Sequence, residues 1–304
     1  FRSLLLGNPN KSYFEEEKIS EASERWPVLF GFKSIDTISQ ESALQTLTKF
    51  DYILCSSRFE NKYLNILEKA SKVNIPIAII DAFDDEPVYE QGEAYLLKTQ
   101  KYTYDLLFKK DLPLGMSSEK ILPLAPMPYP SNKEYFFKKE KAFNSIFFSG
   151  ADRPNITRPD RGIICNYLMQ AFPESKIFLN KPKLPNDLYE YLNQESLIQL
   201  SPCGRVWDSF RHCGAAIDSP ILVIPKNDCE LTWNIFRDEE NCIIYDSKRL
   251  DKNSLNELKN KIKSVLDDPD LAMKIRKNYF NSIVENCSQL DASKYILEGL
   301  RGIN

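Results

Sequence analysis

Arg205 and Arg211 belong to the stretch of this chain best equipped for chemistry. In residues 196–225 an apolar run ends in Ser201-Pro-Cys-Gly204, two arginines follow, and a second apolar run begins at Ile221. Asp208 and Ser209 are both preferred helix N-cap residues, so a helix is expected to open there. A strand, a glycine turn at Gly204 and an arginine-bearing helix start form one recipe for holding a phosphate. Free backbone N–H groups and the helix dipole face the anion, and a guanidinium grips it with two parallel hydrogen bonds. The competing role for either arginine is a solvated side chain or a structural ion pair. Capping accounts for Asp208 completely; Ser209 can cap, donate to a phosphate, or both.

A second group with chemical potential is acidic. Asp81, Asp84, Asp85 and Glu86 follow the apolar run 76–80. A carboxylate at a strand end can take a proton from an attacking hydroxyl; it can also hold a metal, or cap a loop. His212 is the only histidine, which excludes a multi-histidine zinc site. Beside Arg211 it can reach a ligand or pack. Trp207 can stack on a base or serve the core, and the aromatics at 135–137 are expected to pack.

The seven cysteines (Cys55, Cys165, Cys203, Cys213, Cys229, Cys242, Cys287) are scattered, with no C-x-x-C pair. This pattern reads as reduced thiols in a cytoplasmic protein, not as a disulfide framework. The net charge of −3 implies no broad basic face and argues against a nucleic-acid partner. No apolar run reaches the ~18 residues of a membrane span, and no secretory signal is visible. A first residue of Phe1 suggests trimming or a piece of a longer multidomain chain, and a peripheral membrane association stays open.

The elements that must position these groups alternate. Apolar runs at 3–6, 52–55 and 76–80 alternate with helical patterns at 15–25, 41–49 and 59–72. A Pro- and Gly-rich stretch, 113–130, and a charged stretch, 131–142, read as the crossing between two domains. The alternation then resumes, with strands expected at 145–148, 176–179, 197–200, 221–224 and 241–245. Helices are expected at 161–171, 186–193, 254–266, 271–285 and 292–300. Unbroken apolar strands with intervening helices specify parallel sheets covered on both faces. Two such halves imply a cleft, with ligands at strand C-terminal ends.

These residues resemble a known superfamily. Ser201-Pro-Cys-Gly-Arg205, Asp208-Ser-Phe-Arg211 and the strand 221–224 are similar to exostosin-like and group-1 glycosyltransferases of the GT-B type. The segments Ile79-Ile-Asp81-x-x-Asp84-Asp85, Tyr104-Asp-Leu-Leu-Phe-Lys-Lys110, Leu122-Pro-Leu124 and Asn241-Cys-Ile-Ile-Tyr-Asp246 resemble the spore-maturation-type branch. The resemblance implies an α/β, GT-B-like fold with two Rossmann-type domains facing a central cleft. It places an acceptor-side domain at 1–125 and a nucleotide-sugar donor domain at 126–304, with a helix over 290–302 crossing back to the first domain. It implies a metal-independent enzyme that needs no cofactor and moves a sugar from a nucleotide sugar to a glycan or glycolipid acceptor.

On that basis Asp81 and Asp84 are the candidate catalytic carboxylates. Gly150, Arg158, Arg161, Gly204, Arg205, Ser209, Arg211 and Glu230 are the candidate donor-binding residues. Gly150 stands at the fold's glycine turn and Arg161 at the arginine that opens the next helix. Arg158 belongs to an arginine-rich loop, 153–161, and Glu230 lies with Asp228, Thr232 and Trp233 near the expected donor sugar. One departure is plain: Gly214 stands where the superfamily commonly carries a ribose-binding glutamate. Ser219 replaces a glycine and Leu222 a common proline. A non-catalytic glycan- or nucleotide-binding module is therefore an alternative, as is a metal-dependent GT-A transferase.

Overall fold

The computed structural model describes residues 3–6, 40–56, 63–81, 104–124, 136–153, 157–204, 207 and 209–302. Asp84, Arg205 and Asp208 lie outside them, as does the expected helix at 15–25. Two compact units are present. The first comprises Phe1–Ala125, Cys229–Thr232 and Gln289–Asn304; the second comprises Pro126–Asp228 and Trp233–Ser288.

The first unit is built on a parallel sheet whose strands lie in chain order. They are β1 (Ser3–Leu6), β2 (Tyr52–Ser56), β3 (Ile77–Asp81), β4 (Leu106–Lys109) and β5 (Ile121–Pro123). A right-handed crossover between neighbouring parallel strands sets the face of the sheet on which its helix lies. On one face α1 (Gln40–Gln45) and α2 (Leu64–Lys72) pack Ala43, Ile66, Leu67 and Ala70 against Ile53, Ile77 and Ile79. On the opposite face α8 (Gln289–Arg301) packs Ile296 and Leu300 on Leu54, Ile80 and Phe108.

Two segments differ from the sequence expectation. Residues 106–109 and 121–123, the second within the presumed crossing, are strands of this sheet. Pro123 fits because β5 is an edge strand, where a missing N–H leaves no ladder bond unmade.

The second unit has strand order β7-β6-β8-β9-β10, all parallel. These are β6 (Phe143–Gly150), β7 (Lys176–Leu179), β8 (Ser196–Leu200), β9 (Ile221–Pro225) and β10 (Ile243–Tyr245). Its helices are α3 (Asp160–Ala171), α4 (Asn186–Glu195), α5 (Phe210–Gly214), α6 (Lys252–Asp267) and α7 (Pro269–Asn286). Asp251 and Asp268 cap α6 and α7 by accepting from backbone N–H groups two and three residues on. Ile146, Phe148, Leu200, Val223 and Tyr245 form the core with Ile164, Leu168, Ile262 and Ile275.

Strand order in this unit reverses between β6 and β8. In open α/β sheets the crevice beyond the strand C-termini at such a switch point is where ligands bind. Among the described residues, no helix is long and apolar enough to cross a membrane.

Candidate functional site

The switch point of the second unit brings together most of the described candidate donor-binding residues. Strand β6 ends at Gly150 and β8 runs into Ser201 and Gly204. A Cβ at Gly150 would lie 2.8 Å from Cζ of Phe148, the residue two positions earlier on the same strand face, so a side chain there would have to displace that ring.

Arg161, in the first turn of α3, is only 8% exposed. Its Nε donates to the Cys203 carbonyl and its Nη1 to the Ala151 carbonyl, both at 2.8 Å. One guanidinium thus ties the loop after β6 to the loop after β8. Arg211, in α5, donates from Nη2 to the Ser149 carbonyl at 3.3 Å. Both guanidinium groups stand over the Phe148 ring, with Cζ 5.9 and 5.7 Å from its centroid for Arg161 and Arg211. Burial, followed by repulsion from Arg211, pulls the Arg161 pKa down. Two cations crowded at the end of β6 make a site that an anion would relieve.

Arg158 is engaged differently. Its Nη1 forms an ion pair with Asp228 Oδ2 at 2.5 Å, and its backbone N–H donates to the Gly204 carbonyl. Ser209 is the N-cap of α5, its hydroxyl accepting from the Arg211 N–H at 3.3 Å. Ser201 carries a signal that sequence reasoning missed. Its hydroxyl is fully buried and has no hydrogen-bond partner among the described residues. Such a group costs about 1–3 kcal/mol until water or a ligand satisfies it.

Trp207 and His212 belong to the core. The indole is 1% exposed and its Nε1 donates to the Pro225 carbonyl at 2.9 Å. The His212 ring is fully buried, 4.5 Å from the Trp207 ring and 5.9 Å from Phe236. Gly214 adopts ordinary helical angles, φ −61° and ψ −31°, and beyond its chain neighbours and its own helix backbone no heavy atom lies within 4 Å of a Cβ built there. The absence of a side chain at this position is therefore not forced by packing.

Asp81 ends β3 in the first unit, opposite Lys109 of β4 in register. Its Oδ2 lies 2.8 Å from Lys109 Nζ, and both side chains are nearly buried. Glu230 also belongs to the first unit: its Oε1 accepts from the Gly115 N–H at 2.6 Å, and its N–H donates to the Leu112 carbonyl. That contact holds a turn in which Gly115 has φ +81°, a value suited to glycine. Thr232 Oγ1 donates to the Pro123 carbonyl at 3.0 Å beside it. Among the described residues, no group of three His, Cys, Asp or Glu side chains could hold a metal ion.

No protein-family model matches the chain, and no curated protein matches it. Solved structures do. A crystal structure of HepE from Anabaena in complex with UDP gives a TM-score of 0.57 at 12% identity, covering 86% of this chain and 81% of that one. An alpha-glucosyltransferase in complex with UDP-glucose and DNA containing an abasic site gives 0.55 at 10% identity, covering 86% and 83%. A glycosyltransferase from Rickettsia africae gives 0.54 at 10% identity, covering 89% and 84%. At such identities the likeness establishes the fold: this chain is GT-B-like, with two Rossmann-type units.

Proposed function

We propose that this GT-B-like protein moves a sugar from a nucleotide sugar to a hydroxyl of a glycan or glycoconjugate, without a metal ion. The observation that carries the proposal is the pair of guanidinium groups, Arg161 and Arg211, crowded over Phe148 at the switch point of the second unit. A diphosphate placed there offsets their mutual repulsion, and their charge offsets the negative charge that builds on the departing nucleotide. Solved structures of the same fold hold UDP or UDP-glucose, which supports a nucleotide sugar as the donor.

In this proposal Arg211 grips the diphosphate directly. Gly150 and Gly204 let backbone N–H groups approach it, and the Ser201 hydroxyl is a donor that a ligand oxygen would satisfy. Arg161 positions the two loops through its carbonyl bonds. Arg158 acts at one remove, through its Asp228 pair and its bond to Gly204. Ser209 fixes the helix that bears Arg211, and Arg205 completes the basic set. Asp81, oriented by Lys109, is the candidate base for the acceptor hydroxyl, with Asp84 beside it in sequence. Glu230 is better suited to shaping the turn at Gly115 than to holding the donor.

Calorimetric titration with UDP, GDP and CMP tests donor binding, and turnover with and without EDTA tests the metal. One nucleotide diphosphate should bind, and Arg211→Ala should weaken it about 10- to 150-fold, the worth of one charged hydrogen-bond set of about 1.5–3 kcal/mol. Unchanged affinity in Arg211→Ala would remove the phosphate assignment, and loss of turnover in EDTA would remove the metal-free mechanism. A second reading has its own observation: Gly214 leaves the ribose without the usual carboxylate. Tight nucleotide binding with no turnover on any acceptor would select that reading, a binding module.

A further inference from the structure

We propose that Cys213 and Cys287 are a site of reversible disulfide formation that staples α5 to the end of α7. The two sulfur atoms are 2.8 Å apart and both residues are fully buried. A disulfide requires ~2.05 Å, so the pair closes with an approach of roughly 0.8 Å. Cys213 stands two residues after Arg211 in α5; Cys287 is the C-cap residue of α7.

Their meeting does not depend on two loosely placed side chains. The Tyr279 hydroxyl on α7 donates to the His212 carbonyl at 2.6 Å, next to Cys213, and Tyr279 itself is fully buried. The Cys287 N–H donates to the Ile283 carbonyl at 2.8 Å, which fixes where the second thiol begins. Arg276, one turn before Tyr279, donates from Nε to the Ser219 carbonyl at 2.6 Å. Helix α7 is thus tied at two points to the segment that follows Arg211.

The chemistry is a thiol–disulfide exchange. A thiolate of the pair attacks a small disulfide such as oxidised glutathione, giving a mixed disulfide and releasing one glutathione thiol. The second thiolate displaces the other glutathione, so the S–S bond between Cys213 and Cys287 forms as the mixed bond breaks. The protein loses two electrons and two protons, and the glutathione disulfide gains them as two thiols. Because neither sulfur is exposed, exchange proceeds through partial opening of the second unit. The resulting loop contains β9, β10, α6 and α7, and its closure restricts the unfolded chain. This inference is independent of what the switch point binds.

The test uses the whole chain. Folded protein is incubated with excess oxidised glutathione in urea below the unfolding midpoint, then quenched and alkylated in one step with excess N-ethylmaleimide in denaturing urea at neutral pH. It is then mapped as peptides without reduction. A peptide pair linking Cys213 to Cys287 should dominate the oxidised product. The oxidised protein should unfold at higher urea than the reduced protein, and Cys287→Ser and Cys213→Ser should each abolish that difference. Recovery of both cysteines in alkylated form, or pairing of either with other cysteines as often as with each other, would overturn the proposal. Mapping of the parent protein decides this even if a serine variant fails to fold.

Discussion

Arg161 distinguishes a residue that holds the site together from one that touches its ligand. Replacing it with Met removes two charge-assisted hydrogen bonds to backbone carbonyls, each 2.8 Å long, at an 8%-exposed position. Bonds of this kind contribute about 1.5–3 kcal/mol each, a gross loss of about 3–6 kcal/mol. Two gains offset part of it: a buried cation is no longer desolvated, and Arg211 loses a like-charged neighbour. The net destabilisation should be about 2–4 kcal/mol. Arg161→Lys should lose about half as much, since an ammonium cannot fork across both carbonyls. At a urea dependence of ~2 kcal/mol per molar, the Met variant should unfold about 1–2 M earlier. Trp207 is a suitable reporter, being buried in the same unit with its indole N–H on the Pro225 carbonyl. If Arg161→Met unfolds within about 0.5 kcal/mol of the parent while nucleotide affinity drops tenfold, Arg161 contacts the ligand and the reasoning fails.

Three further outcomes are expected. Gly299→Ala should destabilise the first unit by about 1–3 kcal/mol, seen as faster proteolysis of α8, because the new methyl would meet Phe108 at 2.9 Å and Leu122 at 3.1 Å. Gly214→Ala should stabilise by about 0.4–1 kcal/mol in thermal unfolding, since its angles are helical and its surroundings open. Lys141, whose Nζ donates to the Gln194 and Asp218 carbonyls, has its pKa pulled down to about 7 by burial and then by Arg276. Between about 7 and the unfolded value near ~10.4 the unfolded chain holds a proton that the folded chain has released. Stability therefore rises with pH over that window, by at most ~1.4 kcal/mol per unit. Lys141→Met should remove this part of the slope, read as the difference between variant and parent from pH 7 to 9, and an unchanged difference would refute the assignment. Asp218, Lys138, Glu195 and Arg276 face the same ammonium and are common to both proteins.

Much of this architecture was legible because burial on both faces writes itself as unbroken apolar runs, as in Ile77–Asp81 and Ile221–Pro225. The N-cap at Ser209 was also legible, since capping is a local interaction. What escaped was non-local. Strand β5 was hidden by Pro123, which only an edge position makes acceptable. Lys109 becomes the partner of Asp81 only through β3–β4 register. Arg161 at a helix start looks ready for a ligand, yet its partners are carbonyls of Ala151 and Cys203, groups that every residue type carries. Glu230 lies in a four-residue excursion, Cys229–Thr232, that no shift in composition announces.

The cover that α8 gives to the first unit has a consequence in time. Residues of β2 to β5 leave the ribosome long before Ile296 and Leu300 exist, with the whole second unit made in between. At ~5–20 residues per second, the face bearing Leu54, Ile80 and Phe108 waits roughly 10–35 s for its partner. The unit begun first is finished last, and through that interval Leu54, Ile80 and Phe108 lack the contacts that Ile296 and Leu300 later give them.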